Sequence, residues 1–173
     1  MKIETTSSSR VGNQIRGWLE NEGYALVNTQ AKGEPAPSWS FGVIFTPTPR
    51  SKSQVAVPIA IVGKDEVERV ELILDTRLGE EHRKLMNEGT GYSQRATKTI
   101  REKLLLKGVG FTFVRDKDDQ VVALRFDEVL YQDGVSRDGM MRSLRGLYSV
   151  FLYACDVLTE LSRPGSAGFE PMP

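Results

Sequence analysis

The 173-residue chain carries 23 basic and 23 acidic side chains, so it has no net charge with which to hold nucleic acid or an anionic membrane by global attraction. Its length suits one domain with a real core, and its single cysteine, Cys155, excludes an intramolecular disulfide and fits a reducing cytoplasm. No run approaches the roughly 20 apolar residues of a membrane span, and the polar stretch Met1–Arg10 lacks the apolar core of a signal peptide.

Residues 1–9 read as a flexible N-terminus, and one of their serines can cap the helix that follows. In that helix Val11, Ile15, Trp18 and Leu19 recur at helical spacing and Gly23 supplies the stop, so Trp18 is expected to lie on the sheet. Tyr24–Thr29 suits a short first strand, and Gln30–Pro37, with Gly33, Pro35 and Pro37, a loop.

Three β-patterned segments follow between Ser38 and Asp75. Trp39, Phe41, Val43 and Phe45 alternate with small or polar residues, then Val55, Val57, Ile59 and Ile61, then Val70, Leu72 and Leu74. A period of two sends each set to one face, which predicts an antiparallel meander with one strongly apolar side. Thr46–Ser53 reads as an exposed hairpin loop and Gly63–Asp65 as the next turn. Pro58, which cannot donate a ladder hydrogen bond, argues for an edge or a bulge.

Beyond Asp75 the period changes. Gly79–Glu88 reads as a charged surface helix with Leu85 and Met86 its large apolar residues. Ser93 can cap a further helix to about Lys107 that buries Ala96, Ile100 and Leu104, widened by Leu105 and Leu106. Val109–Val114 and Val121–Tyr131 form a second hairpin around the polar turn Arg115–Gln120, with Val109, Phe111 and Phe113 on one face and Val122, Leu124 and Phe126 facing the same core from the partner strand. From about Asp138 to Leu161 a long amphipathic helix places Met140, Leu144, Leu147, Tyr148, Phe151, Leu158 and Leu161 on its apolar stripe, and Phe151 is expected beneath the sheet. Residues 163–173, rich in proline and glycine, read as a disordered tail after a single α+β domain spanning 10–162.

This order of elements, with the Trp18 helix, the Trp39–Phe45 strand and the closing helix, resembles the type III secretion chaperone-like superfamily over roughly residues 10–161. Members of that superfamily fold as a helix, a three-strand meander, a helix, a two-strand hairpin and a final helix. The resemblance implies an antiparallel sheet covered by helices and a dimeric protein-binding module.

Chemical signals are sparse. Lys107–Val114 echoes an RNA-recognition strand, but Val109 replaces the first stacking aromatic, and a glycine that ends a helix before a core strand explains the same residues. Gly89-Thr90-Gly91 precedes a helix bearing Ser93, Arg95, Lys98 and Arg101, a candidate anion-binding set without the Gly-Lys-Ser/Thr ending of a phosphate loop. His82 stands alone as a surface histidine with no second histidine or nearby cysteine to make a zinc site. Cys155 reads as a small buried hydrophobe. The carboxylate pairs Asp118–Asp119 and Asp127–Glu128 lie in a turn and at a strand end, in no catalytic frame.

No catalytic residue, metal ligand or cofactor site is therefore assigned. The meander's second face, with Ser40, Gly42, Ala56, Ala60 and Ile73, is small and mildly apolar and suits association, most simply as a homodimer. The expected function is a non-enzymatic, chaperone-like protein-binding module that takes a protein or peptide partner in the cytoplasm. The alternative is nucleic-acid or phosphate-ligand binding through the basic helix 93–107.

Overall fold

A computed structural model describes residues 10–29, 37–49, 54–64, 69–88, 91–105 and 109–162. The expectations placed on 1–9, on 163–173 and on most of the Gln30–Pro37 loop lie outside these residues. The fold is α+β, with a six-stranded antiparallel sheet in the order β1-β2-β3-β4-β6-β5. Its strands are β1 (Ala25–Val27), β2 (Trp39–Phe45), β3 (Val57–Lys64), β4 (Arg69–Arg77), β5 (Gly110–Arg115) and β6 (Val121–Tyr131). The helices among the described residues are α1 (Arg10–Asn21), α2 (Glu80–Asn87), α3 (Gly91–Leu105) and α4 (Arg137–Ser162). The chain clusters into two compact units. One combines the residues up to Leu74 with Asp127–Tyr148, the other Asp75–Phe126 with the stretch from Ser149.

In the first unit the alternation of the meander is realised directly. Phe41 pairs with Ile61 and Ile61 with Leu72, so one face carries a continuous apolar row, and all three side chains are fully buried. Phe45 joins this face, stacked on Tyr24 at 5.2 Å between ring centroids and edge-on to Tyr148 of α4 at 5.9 Å. Helix α1 adds Ile15 and Leu19, both fully buried, whereas Trp18 is only half-buried. The tryptophan that fits tightly against α1 is Trp39. Its indole lies against Gly12, where a β-carbon would come within 2.9 Å, and covers Gly63 across the strand pair.

Helix α1 ends where Gly23 takes φ 86°, which frees its N–H to reach the carbonyl of Glu20 while Tyr24 N–H reaches that of Leu19. These two bonds form a Schellman cap, and only glycine adopts that backbone angle without strain. At the other end of the unit Ser136 caps α4, its Oγ accepting from Gly139 N–H at 3.0 Å. Arg137 then bonds Glu22, donating from Nε at 2.9 Å, and so ties the start of α4 to the end of α1.

Three details of the meander differ from expectation. Gly63 belongs to β3 rather than to a turn, paired with Trp39. Val55 precedes β3 and is 58% exposed. Pro58 lies in an interior strand, opposite Ile44, rather than on an edge. The missing N–H is tolerated because the register with β4 runs from Lys64↔Arg69 to Ala60↔Ile73 and stops short of Pro58.

The second unit is organised around β6. Val121 and Ala123 are buried on one side and Leu124 and Phe126 on the other, so the start of this strand is covered on both faces, while Val122 is only half-buried. Val122 contributes through its backbone, its carbonyl accepting from Leu78 N–H at 3.0 Å. The β5–β6 turn is fixed by Asp116, whose carboxylate accepts from the N–H groups of Asp118 and Gln120 at 2.9 and 3.1 Å, with Asp119 at φ 60°.

Helix α2 buries Leu85 and Met86 as its pattern predicts. Its last residue, Asn87, acts as a surrogate strand. The side-chain amide accepts from Val121 N–H at 2.7 Å and donates to Val121 C=O at 2.9 Å and Arg83 C=O at 2.7 Å. Asn87→Ala leaves this pairing unmade beside a buried valine and is expected to cost about 1–3 kcal/mol in urea unfolding. A loss under about 0.5 kcal/mol, the range of ordinary surface changes, would mean that water replaces the amide at no cost.

Helix α3 buries Ala96, Ile100 and Leu104, whereas Leu105 is 64% exposed and does not widen the stripe. The later half of α4 buries Val150, Ala154, Val157 and Leu158. Phe151 is half-buried rather than enclosed. The stripe widens toward Val150 and Val157, which leaves position 151 on its flank.

Candidate functional surface

The face of the first unit's sheet that points away from Phe45 and Tyr148 carries rows set by the strand register. Val27, Gly42, Ala60 and Ile73 lie side by side across β1 to β4, next to the row of Ala25, Ile44 and Pro58. Ala25 and Pro58 are exposed, Val27 is 37% exposed, and Ile44, Ala60 and Ile73 are half-buried. On β6, Glu128 faces α4, where its carboxylate accepts from the Ser143 hydroxyl at 2.6 Å. The alternating residues Val129 and Tyr131 therefore point the other way, and they are 37% and 63% exposed. On the same face Arg69 meets Glu71 at 2.6 Å. The result is a sheet face whose described open positions carry mainly small apolar side chains.

Of the residues expected here, Ala60 and Ile73 are on the face and half-open, and Ala56 is exposed ahead of β3. Gly42 is covered instead. A β-carbon there would lie 2.7 Å from the side chains of both Val27 and Thr29, so glycine lets the edge strand lean over its neighbour. Ser40 is engaged as well, its hydroxyl donating to Thr29 C=O at 3.0 Å. Sequence reasoning missed Val27, Val129 and Tyr131. Continuing the alternation of β6 past Phe126 is the signal that finds the last two.

The anion-binding set is divided by burial. Arg95, Lys98 and Arg101 are exposed at spacings of three along α3, and Lys98 lies 3.7 Å from Glu102. Helix α3 begins at Gly91, so Ser93 sits inside its first turn rather than capping it, and its side chain is buried. Gly89 and Thr90 lie outside the described residues. Further along the helix, Lys103 pairs with Glu160 at 3.2 Å.

His82 is half-buried rather than fully on the surface, with Nε2 shielded and without a hydrogen-bond partner. An open depression of about 550 Å³ beside α2 is lined by residues that include Leu78, Glu80, Arg83, Lys84, Asn87 and Glu88. Its charges are of both signs, and one large apolar side chain gives little to grip a ligand. Among the described residues no group of three or more His, Cys, Asp or Glu side chains is placed to hold a metal ion. Asp127 and Glu128 point to opposite faces of β6, so they do not act together on one substrate.

Cys155 is half-buried, and burial followed by the neighbouring Asp156 raises its thiol pKa, which keeps it an unreactive thiol. Tyr24 is buried with its hydroxyl unpartnered. Burial pushes its phenol above the usual range, Arg145 pulls it down and Glu22 adds to the rise.

These features define a helix-backed antiparallel α+β protein whose distinctive surface is a partly open sheet face of small apolar side chains. Among the described residues no helix is long and apolar enough to cross a membrane. The chain belongs to the family described as "Uncharacterized conserved protein (DUF2299)", whose pattern it matches over residues 11–158. Its fold is shared by the crystal structure of an uncharacterized protein from Methanothermobacter thermautotrophicus, with a TM-score of 0.67 at 16% identity. That match covers 87% of this chain and 97% of the archaeal one. No curated protein matches the sequence.

Proposed function

We propose that the protein is a non-enzymatic, chaperone-like protein-binding module that works in the cytoplasm as a homodimer. The observation that carries the protein-binding part of this reading is the open sheet face around Ala60 and Ile73, where half-exposed apolar side chains lie beside the Arg69–Glu71 ion pair. Such a face suits a partner protein segment better than a small polar ligand, because it offers apolar area and shape but few directed polar groups. The likeness in element order to the secretion chaperones supports the same class.

Light scattering over a wide concentration range tests the homodimer. The expected mass is twice the 19.3 kDa of the chain, held on dilution. A mass that stays at one chain at every concentration rejects the homodimer. It moves attention to Arg95, Lys98 and Arg101, for which salt-sensitive retention on heparin is the matching assay.

A further inference from the structure

A six-stranded open sheet has two edges, and here they are unlike. The β1 edge is three residues long, and Val27 leans inward over Gly42. The β5 edge is six residues long, Gly110-Phe111-Thr112-Phe113-Val114-Arg115, with no proline to blunt it. Its one charge, Arg115, is drawn back into its own hairpin turn, with Nη1 donating to Asp119 C=O at 2.6 Å and lying 3.5 Å from the Asp119 carboxylate. Proteins usually protect a strand of this length and composition with edge lysines, prolines or bulges. The residues outside the turn carry none of these, and Thr112 at the middle is exposed while Phe111 and Phe113 are half-buried.

We propose that the β5 edge is the subunit contact, pairing antiparallel with β5 of a second copy of this chain about a two-fold axis at Thr112. The proposal rests on the homodimer reading above and names its surface. About a two-fold axis each residue i pairs with a residue j and j with i, and because Phe111-Thr112-Phe113 reads the same in both directions, an axis at Thr112 pairs like with like. Centred on Thr112, the register sets Phe111 opposite the second copy's Phe113 and the reverse, giving two cross-strand aromatic pairs on one face. Thr112 meets its own counterpart on the other face. Aromatic and threonine pairs are both favourable cross-strand combinations.

Charge fits the same register. Arg115 falls opposite Val109, and the two copies of Arg115 stand six positions apart, roughly 20 Å at the rise of a strand, so no like charges oppose. Within one copy the rings already lean together, Phe111 and Phe113 meeting edge-on at 5.7 Å, which leaves their outer flanks for the second pair.

Thr112→Lys tests the idea, because it sets two ammonium groups against each other at the axis while changing one exposed residue of a monomer. Sedimentation or light scattering should show the dimer's dissociation midpoint rising about tenfold or more, with circular dichroism and thermal unfolding of the monomer unchanged. Asn13→Lys, on the exposed side of α1, is the control and should leave the midpoint where it is, whereas Ala60→Lys breaks the dimer only if the open sheet face is the contact instead. Should Thr112→Lys disturb folding, Thr112→Cys in a Cys155→Ser background provides a second route. Directly opposed residues at 4.5–5.5 Å lie within disulfide reach, so mild oxidation should cross-link most of the protein as dimers.

A dimer insensitive to Thr112→Lys, or one broken by Ala60→Lys and not cross-linked through residue 112, overturns the β5 contact and leaves the homodimer reading standing. A wild-type chain that is monomeric throughout overturns both.

Discussion

Replacing Phe45 by alanine should remove about 3–5 kcal/mol of stability, the cost of deleting a large aromatic from a filled core. The ring is fully buried at the point where three elements meet. It stacks on Tyr24 just beyond α1, meets Tyr148 of α4 edge-on, and lies opposite Val57 in the β2–β3 ladder. None of these neighbours can collapse into the void without leaving its own partner. Since a domain typically holds 5–15 kcal/mol in total, the variant should lose a third or more of its margin in urea unfolding. A loss below about 1 kcal/mol would show that the helices and sheet close over the gap, and that the aromatic cluster does not bind α4 to the meander.

Gly63→Ala is the second large effect expected, and it works by the opposite mechanism. The β-carbon of an alanine at this position would fall inside the indole ring of Trp39, with nothing flexible to yield. Moving the indole aside is blocked by Gly12 of α1 on one flank and by Phe41, stacked on it at 5.9 Å between centroids, on another. Phe41 is itself held beneath the Arg16 guanidinium, 4.2 Å above its ring. Overpacking of this kind costs typically 1–3 kcal/mol, and the rigid surroundings place Gly63→Ala near the upper end, about 3 kcal/mol.

The near-UV circular dichroism of the indole should change with it. A smaller side chain at position 39 should restore part of the loss, so Gly63→Ala with Trp39→Leu should be more stable than the sum of the two single changes predicts. Simple additivity would mean that the two sites do not press on each other.

The contrast between Trp18 and Trp39 shows how far the sequence could be read. Alternation identified the buried face of β2, β3 and β4 because a strand buried on one side shows its period openly. It could not reveal that Gly63 continues β3, since a glycine beside a charged stretch looks like a turn until the bulky partner across the ladder is known. Helical spacing likewise placed Ile15 and Leu19 inside, but it did not rank Trp18 against its neighbours. That ranking depends on Gly12 opening space for a ring from another element.

Similar limits apply elsewhere. The chemistry of Pro58 points to an edge or a bulge, yet what decides the matter is where the β4 register ends. Phe151 and Leu105 belong to apolar stripes broader than the surface they cover, and only the packing says which side of a broad stripe is left outside. At the candidate surface, Ala60 and Ile73 were legible from the alternation of the meander. Val27 was not, because its exposure and its lean over Gly42 follow from the pairing of a three-residue strand that has no pattern of its own.

The way the two compact units divide the chain bears on how the protein is made. The first unit needs residues up to Leu74 and then Asp127–Tyr148, and the second needs Asp75–Phe126 and then the stretch from Ser149. Emerging from the ribosome in order, neither unit has all its parts when the other begins. The meander must wait with one side uncovered for more than fifty residues of synthesis, from Leu74 to Asp127, before the start of α4 arrives. At ordinary translation rates of about 5–20 residues per second, that interval lasts seconds, long enough for an unfinished sheet to meet chaperones or other nascent chains. Interleaving of this kind ties completion of both units to the last helix, so a chain cut anywhere before α4 leaves both unfinished.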